Sequence, residues 1–292
     1  MTTLEFREAA EHDVERVVEL CNVYERAVAE EPEILSAEDL LRWWRRESER
    51  RLVVDGEELV GFAYLQRRHE RWDGDGWVHP DAFGRGVGGA IADWIEARAQ
   101  ALGSPEVRIG ILRADGRAAC LLRGRGFEPI RTFFRMVIDL VAEPAQPEWP
   151  EGFTVVSAEQ GDEHELYEVL EDAFVDHWGH ASRTYEEWLA THEIEHELSF
   201  LVRTGDATAA GALCRRELFG MGWVDVLGTR REFRRLGLGE ALLRHAFREL
   251  YRRGARRVGL GVDSENTTGA TRLYERVGMR VAAASDVYAK KL

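Results

Sequence analysis

The sequence repeats itself once, and that duplication limits the fold more than any other feature. Gly86-Val87-Gly88 in the first half matches Gly237-Leu238-Gly239 in the second, and Arg125-Gly126-Phe127 matches Val277-Gly278-Met279. Between them lies AEPAQPEWPEG, residues 142–152, with three of the seven prolines in the chain. Proline removes a backbone donor and breaks helices and central strands, so this stretch is expected to be a linker. Self-similarity over half a chain means a duplicated domain and not a short solenoid repeat. We therefore expect one domain over 1–141, the linker at 142–152 and a second domain over 153–292. Each is long enough to bury its own core.

Both halves run through the same elements. Short apolar runs and alternation predict strands at 4–8, 51–54, 58–66, 76–79, 107–112 and 127–140 of the first half. A 3.6-residue apolar period predicts helices at 13–29, 37–49, 87–102 and 117–124. In the second half the strands fall at 153–157, 199–203, 209–217, 222–227, 258–262 and 279–290. Its helices fall at 163–177, 185–194, 238–253 and 268–277, the third carried by Leu242, Leu243, Ala246, Phe247 and Leu250. The fold class is α/β (α+β): two tandem domains, each a mixed, mostly antiparallel sheet flanked by helices.

Composition removes several function classes. The 292 residues are 45% hydrophobic and 32% charged, an ordinary globular balance. A net charge of −14 opposes sequence-independent binding to nucleic acid, which needs a positive surface. The run Arg252-Arg253-Gly254-Ala255-Arg256-Arg257 then reads as a solvated helix C-terminus. No apolar run approaches the roughly 20 residues that span a bilayer, so no membrane partner is expected. The start, MTTLEFREAAEHD, lacks a basic region, and a cytoplasmic location is the default. Cys21, Cys120 and Cys214 lie far apart in apolar segments and read as buried structural residues.

The chemistry concentrates in DVLGTRREFRRLGLG, residues 225–239, which ends a strand, turns, and opens a long amphipathic helix. Gly237 and Gly239 permit positive φ and close approach. The N–H groups of the turn and first helical turn then form an anion site, reinforced by the helix dipole. Arg234 and Arg235 carry charge suited to a diphosphate, with Arg230 and Arg231 near enough for a further phosphate. Downstream, VDSENTTGATRLYERVGM, residues 262–279, sets Asn266 to cap the helix expected at 268–277 and Gly278 to end it.

These stretches resemble the two motifs of the GNAT acetyltransferase superfamily. The phosphate-loop signature Q/R-x-x-G-x-G/A is met at every specified position by residues 234–239. The resemblance implies acetyl-CoA as co-substrate, with no metal, and a primary amine of a small molecule as acceptor. It implies that Arg234, Arg235, Leu236, Gly237, Leu238, Gly239 and Glu240 hold the pyrophosphate. Leu227, Gly228 and Thr229 would pair with the pantetheine amides, and Asn266 would contact the cofactor. Tyr274 would protonate the departing thiolate, a phenol of pKa near 10 being a suitable donor. Members often carry a Glu on the fourth strand as base; here Trp223 falls near that place and Asp225 is the nearest carboxylate. The first half has Phe83, Ala114 and Leu122 where the second has Arg234, Asn266 and Tyr274. It is expected to be degenerate and the second half catalytic. The tandem arrangement is similar to the mycothiol synthase-like group, whose acceptor is a cysteinyl amine on a glucosaminyl-inositol conjugate. Oligomeric state stays at monomer or homodimer.

Two other readings compete. A non-catalytic acyl-CoA sensor would share the loop but would not need Tyr274 and Asn266. The string from His192 to His196 formally satisfies the zinc-protease pattern H-E-x-x-H, with Glu193 as base, but it sits at a helix end and has no third ligand in view. His177 and His180 border the expected acceptor side.

Overall fold

The structure is a computed structural model describing residues 4–266 and 268–292. It resolves into two compact units. One comprises Met1–Phe134, Asp263–Glu265 and Ala282–Leu292; the other comprises Arg135–Val262 and Asn266–Val281. The units therefore differ from a simple division at 142–152. The last strand of the chain belongs to the first unit, and the strand before the linker runs on into the second.

The first unit arranges β1 (Glu5–Glu8), β2 (Ser48–Asp55), β3 (Glu58–Arg68), β4 (Arg71–Val78), β5 (Glu106–Leu112) and β12 (Arg280–Lys291) in that order. Every pairing is antiparallel except β4 with β5. That parallel pairing covers only Trp72–Gly74 against Val107–Ile109, so the two strands part beyond it. Helix α1 (Val14–Val28) buries Val14, Val17, Leu20, Cys21 and Tyr24, one stripe at helical spacing. Helix α2 (Ala37–Trp44) opens with Ser36 and Asp39 in a capping box. It was expected to reach residue 49, but β2 claims the chain from Ser48, where its residues pair with β3. Helix α3 (Val87–Ala101) covers the other face through Val87, Ile91 and Ile95, which pack with Val107, Ile109, Phe127 and Tyr288. Helix α4 (Gly116–Gly124) starts where Asp115 accepts the N–H groups of Arg117 and Ala118. It leaves Cys120 exposed, contrary to the sequence expectation, while Cys21 and Cys214 are buried.

The second unit repeats the pattern with β7 (Thr154–Ser157), β8 (Ser199–Thr204), β9 (Ala207–Leu218), β10 (Met221–Thr229) and β11 (Arg257–Asp263), followed in strand order by β6 (Glu128–Asp139). Again one pair is parallel: β10 meets β11 only at Gly222–Val258 and Trp223–Gly259. Helix α5 (Glu163–Phe174) lays Leu166, Val169 and Leu170 against Leu201 and Leu213. Helix α6 (Tyr185–Thr191) adds Trp188 to that core. Helix α7 (Leu238–Arg252) buries seven side chains, including the whole predicted stripe from Leu242 to Leu250. Helix α8 (Ala270–Arg276) precedes the turn at Gly278.

Candidate active site

In the second unit, β10 and β11 separate directly above the turn that opens α7. The register of β10 against β9 passes from Val224–Cys214 to Val226–Leu213, so Asp225 is the extra residue of a β-bulge. Past it, Leu227, Gly228 and Thr229 pair with β9 on one edge and, among the described residues, have no strand partner on the other. Gly228 is needed for packing: a Cβ there would come within 2.6 Å of the Ala173 Cβ on α5.

The turn takes its shape from two residues of positive φ, Arg235 at 67° and Gly237 at 86°. Gly237 is the N-cap of α7, and no heavy atom lies within 4 Å of where its Cβ would be. The first helical N–H groups, those of Leu238, Gly239 and Glu240, precede the first intrahelical bond, from Ala241 to the Gly237 carbonyl. A cradle of amides free of intrahelical bonds follows at the start of α7.

The arginines of the turn divide into two kinds. Arg234 donates to the Thr229 carbonyl at 3.2 Å and the Ala173 carbonyl at 2.9 Å, and lies 3.4 Å from Asp176. Arg231 pairs with Asp176, and Arg230 approaches Asp172 at 3.5 Å. The Arg231 guanidinium holds the Asp176 carboxyl below the usual range. These three fasten the turn to α5 and the end of β10. Arg235 is exposed and has no ion pair or hydrogen bond among the described residues. The expectation that Arg234 faces a diphosphate is corrected accordingly: its donors point into the protein. Leu238 is buried and Leu236 exposed, and the Glu240 carboxylate faces Arg244 at 3.0 Å and Arg276 at 3.4 Å.

Tyr274 stands on α8 beside the cradle. Its neighbour Leu273 lies 3.5 Å from where a Cβ on Gly239 would be. The Tyr274 side chain is buried, and its hydroxyl makes no hydrogen bond among the described residues. Burial pushes the phenol up to about 12, so it holds its proton at neutral pH. Asp225 accepts from Arg215 at 2.9 and 3.1 Å, and Arg215 also reaches Glu193 at 3.3 Å. Asn266 does not cap a helix as expected. Its Oδ1 accepts the N–H and hydroxyl of Thr268, an Asx turn, and α8 starts later with Gly269 as N-cap.

The zinc-protease pattern does not form one helical face. Helix α6 ends at Thr191, His192 bonds back to the Trp188 carbonyl, and His196 sits 2.7 Å from Glu163. Among the described residues no group of three or more His, Cys, Asp or Glu could hold a metal ion. His180 lies 3.7 Å from Glu171, and the His177 ring packs on Phe174.

Sequence reasoning missed how fully the first unit keeps the backbone cradle. Gly84 and Gly86 have φ of 77° and 88°, matching Arg235 and Gly237 in value and spacing. A cavity of about 370 Å³ opens there, lined by Tyr24, Gly76, Phe83, Gly86, Gly110 and Leu122 among others. Phe83 stacks under the Arg117 guanidinium at 3.6 Å, Arg85 pairs with Asp55, and Tyr24 donates to Asp115 at 3.1 Å. Four glycines at 84, 86, 88 and 89 were the available signal.

The Acetyltransferase (GNAT) family model matches residues 14–127 and again 163–279. A mycothiol acetyltransferase of Thermobispora bispora is 34% identical over 238 residues, covering 78% of each chain. One from Catenulispora acidiphila is 30% identical over 251 residues, 82% of this chain and 79% of that protein. Among solved structures, a GCN5-related N-acetyltransferase from Sphaerobacter thermophilus superposes with a TM-score of 0.85 at 32% identity, covering 99% of this chain and 95% of that one. A tandem GNAT protein from the clavulanic acid biosynthesis pathway, 14% identical with a TM-score of 0.77 over 99% and 98% of the chains, shares the fold. Among the described residues no helix is long and apolar enough to cross a membrane.

Proposed function

We propose a function from one established premise, that the chain belongs to the acetyltransferase (GNAT) family. The second unit transfers an acetyl group from acetyl-CoA to the primary amine of a small molecule. The observation that carries this reading is the parting of β10 and β11 over an amide cradle, with a buried, protonated phenol on the adjoining helix. The first unit is the non-catalytic copy: Leu122 occupies the position that Tyr274 holds in the second.

Acetyl-CoA supplies the thioester. The amides of Leu238, Gly239 and Glu240 bind the diphosphate, and Arg235 adds the charge that is not neutralised within the turn. The unpaired edge of Leu227–Thr229 takes up pantetheine amides as a strand would. Its outward N–H polarises the carbonyl under attack. Asp225, lifted out of the ladder by the bulge, is the carboxylate for the proton leaving the amine. Tyr274 holds a proton at its hydroxyl oxygen and gives it to the departing sulfur. Alignment of the two substrates supplies much of the rate. The acceptor we propose is of the mycothiol-precursor type that the curated relatives' name carries.

Tyr274→Phe tests the assignment. With a cysteinyl glucosaminyl-inositol acceptor, kcat should fall by about 10²–10⁴-fold, the range for a positioned general acid. Acetyl-CoA affinity by calorimetry should stay within a factor of two or so, a change below about 0.5 kcal/mol. An unchanged kcat removes the acid role, and absence of any transfer in the parent protein removes the acceptor.

A further inference from the structure

The string from His192 to His196 forms no metal site among the described residues, yet both of its acids reach the same strand. The two carboxylate oxygens of Glu195 accept the backbone N–H of Arg216 at 3.1 and 3.2 Å. The Glu195 carbonyl accepts the Ser199 hydroxyl at 2.9 Å. Glu193 accepts from Nη1 of Arg215 at 3.3 Å. Between the two acids, Ile194 packs against the core that holds Leu166, Trp188 and Leu213. The connection from α6 to β8 is thus fastened to β9 through a backbone N–H, a guanidinium and an apolar contact.

Arg215 carries that anchorage on to the candidate base. Alternation along β9 puts it on the face of Leu213, which packs with residues of α5 and α6. It stands opposite Trp223, the last residue of β10 in the short pairing with β11. Asp225, two residues further on, is the bulge residue. Nε and Nη2 of Arg215 both donate to its Oδ2, at 3.1 and 2.9 Å. Oδ1 makes no hydrogen bond among the described residues. One oxygen is therefore held by two donors, and the other keeps its lone pairs available. The Arg215 side chain is only 10% exposed and that of Asp225 27%, so the grip lies at the edge of the core and the carboxylate faces outward from it. A bulge residue lacks the cross-strand neighbours that fix a rotamer in a regular ladder. A planar guanidinium replaces them, because its paired donors set direction as well as distance, which the point charge of an ammonium does not.

We infer that Arg215 is a positioning residue for acetyl transfer: it turns the Asp225 carboxylate so that Oδ1 meets the acceptor amine, and Glu193 steadies the guanidinium from the other side. The inference rests on the reading that Asp225 takes the proton leaving the amine. In that step the new bond forms between the amine nitrogen and the acetyl carbon, an N–H bond breaks, and its proton passes to Oδ1. Arg215 acts through the carboxylate and keeps its own protons throughout. Glu193, the acid that a zinc-protease reading would make a base, serves as the outer anchor.

The test compares the full chain with Arg215→Ala, Arg215→Lys, Asp225→Asn and the double variant Arg215→Ala/Asp225→Asn, using a cysteinyl glucosaminyl-inositol amine as acceptor. Asp225→Asn should lower kcat by about 10²–10⁴-fold, the range for a positioned general base. Arg215→Ala should lower kcat by about 10- to 10²-fold, as a misplacement of about 1 Å does. Its acetyl-CoA affinity by calorimetry should stay within about a factor of two of the parent, which also shows a folded site. The double variant should match Asp225→Asn within about twofold, because no carboxylate is left to position. Ethylguanidinium supplies the atoms missing from Arg215→Ala and should restore part of its rate, where sodium chloride at equal ionic strength should not. If Arg215→Ala fails to bind acetyl-CoA, Arg215→Lys decides in its place: it keeps the charge without the paired donors and should also be slow. Arg215 variants at the parent's rate, or losses that add in the double variant, overturn the positioning role and leave Asp225 as base. Asp225→Asn at the parent's rate, or no transfer by the parent itself, overturns the underlying reading and this assignment with it.

Discussion

Gly237 allows strain and ligand binding to be separated at a single turn. Its φ of 86° favours glycine, and nothing within 4 Å obstructs a methyl group. Gly237→Ala therefore costs conformational strain alone, about 1–2 kcal/mol for an L-residue in the left-handed region. Against a domain stability of about 5–15 kcal/mol the protein stays folded. To relieve the strain, the turn must rotate toward negative φ, and the amides of Leu238 and Gly239 rotate with it. We expect acetyl-CoA to bind at least about tenfold more weakly, which corresponds to 1.4 kcal/mol. Gly239→Ala is the control. Its Cβ would meet Leu273 at 3.5 Å and Thr229 at 3.8 Å, ordinary contact distances, within a helix where alanine is favoured over glycine by up to about 1 kcal/mol. That variant should be as stable as the parent or more so, yet bind poorly, because the methyl group stands between the end of β10 and the cradle. Urea denaturation gives the stabilities and calorimetry the affinities. If Gly237→Ala matches the parent in both, the positive φ is not holding the amides and the cradle argument fails.

Two further outcomes concern the first unit. The Asp75 carboxyl on β4, raised from 3.8 to about 7 by folding, binds more protons in the native state than in the unfolded one across that interval. Its contribution therefore declines as pH rises from 4 to 7 and levels off above, by about 2–4 kcal/mol after allowing for partial solvent access. Asp13, drawn down to about 2 chiefly by its bond to Arg7, contributes with the opposite sign, and that contribution is lost as pH falls below about 4. The Asp75→Asn difference at pH 5 and pH 8 isolates the first effect: a stability gain at pH 8 that is no larger than at pH 5 would contradict it. Deleting residues 282–292 removes the β12 partner of β5 from Ser285 to Lys291, the buried Tyr288 ring and the Arg113–Asp286 pair. Hydrogen exchange over 106–112 should then lose its protection, and unchanged protection would show that β5 does not depend on that strand.

Local physics was legible in the sequence to the extent that it is local. The stripe Leu242–Leu250 predicts α7, and the structure buries it, because a 3.6-residue period has one solution on a helix. Gly237 likewise predicts a turn of positive φ, because glycine alone enters that region without a Cβ penalty. Partners distant in sequence were not legible. Arg234 has the residue type of a phosphate ligand, but its guanidinium binds two carbonyls, one of them on α5 some sixty residues earlier. Nothing in its neighbours reveals that. Helix α2 stops short because cross-strand pairing of Ser48 onward with β3 outcompetes helical periodicity. The destination of β12 was equally hidden, since alternation states which faces are apolar and not which strand will be the neighbour.

The two units also show which parts of such a site withstand divergence. The cradle is made of backbone, so it needs only a compatible φ, and two glycines in one unit do what an arginine and a glycine do in the other. Side-chain chemistry has no such tolerance. Leu122 in place of Tyr274 removes a proton donor outright. Phe83 in place of Arg234 exchanges a clamp on two carbonyls for a ring under Arg117. The strand edges differ as well: β10 carries a bulge that lifts out Asp225, whereas β4 pairs regularly with β3 through Asp75. A bulged carboxylate can turn toward Arg215 and be neutralised; one held in a regular ladder stands opposite Tyr64. The same duplication thus leaves Asp225 paired with Arg215 in one unit and Asp75 without an ion pair among the described residues in the other. A buried carboxyl without a counter-ion relieves the cost of its charge by keeping a proton, and burial and Asp73 hold the Asp75 carboxyl up at about 7.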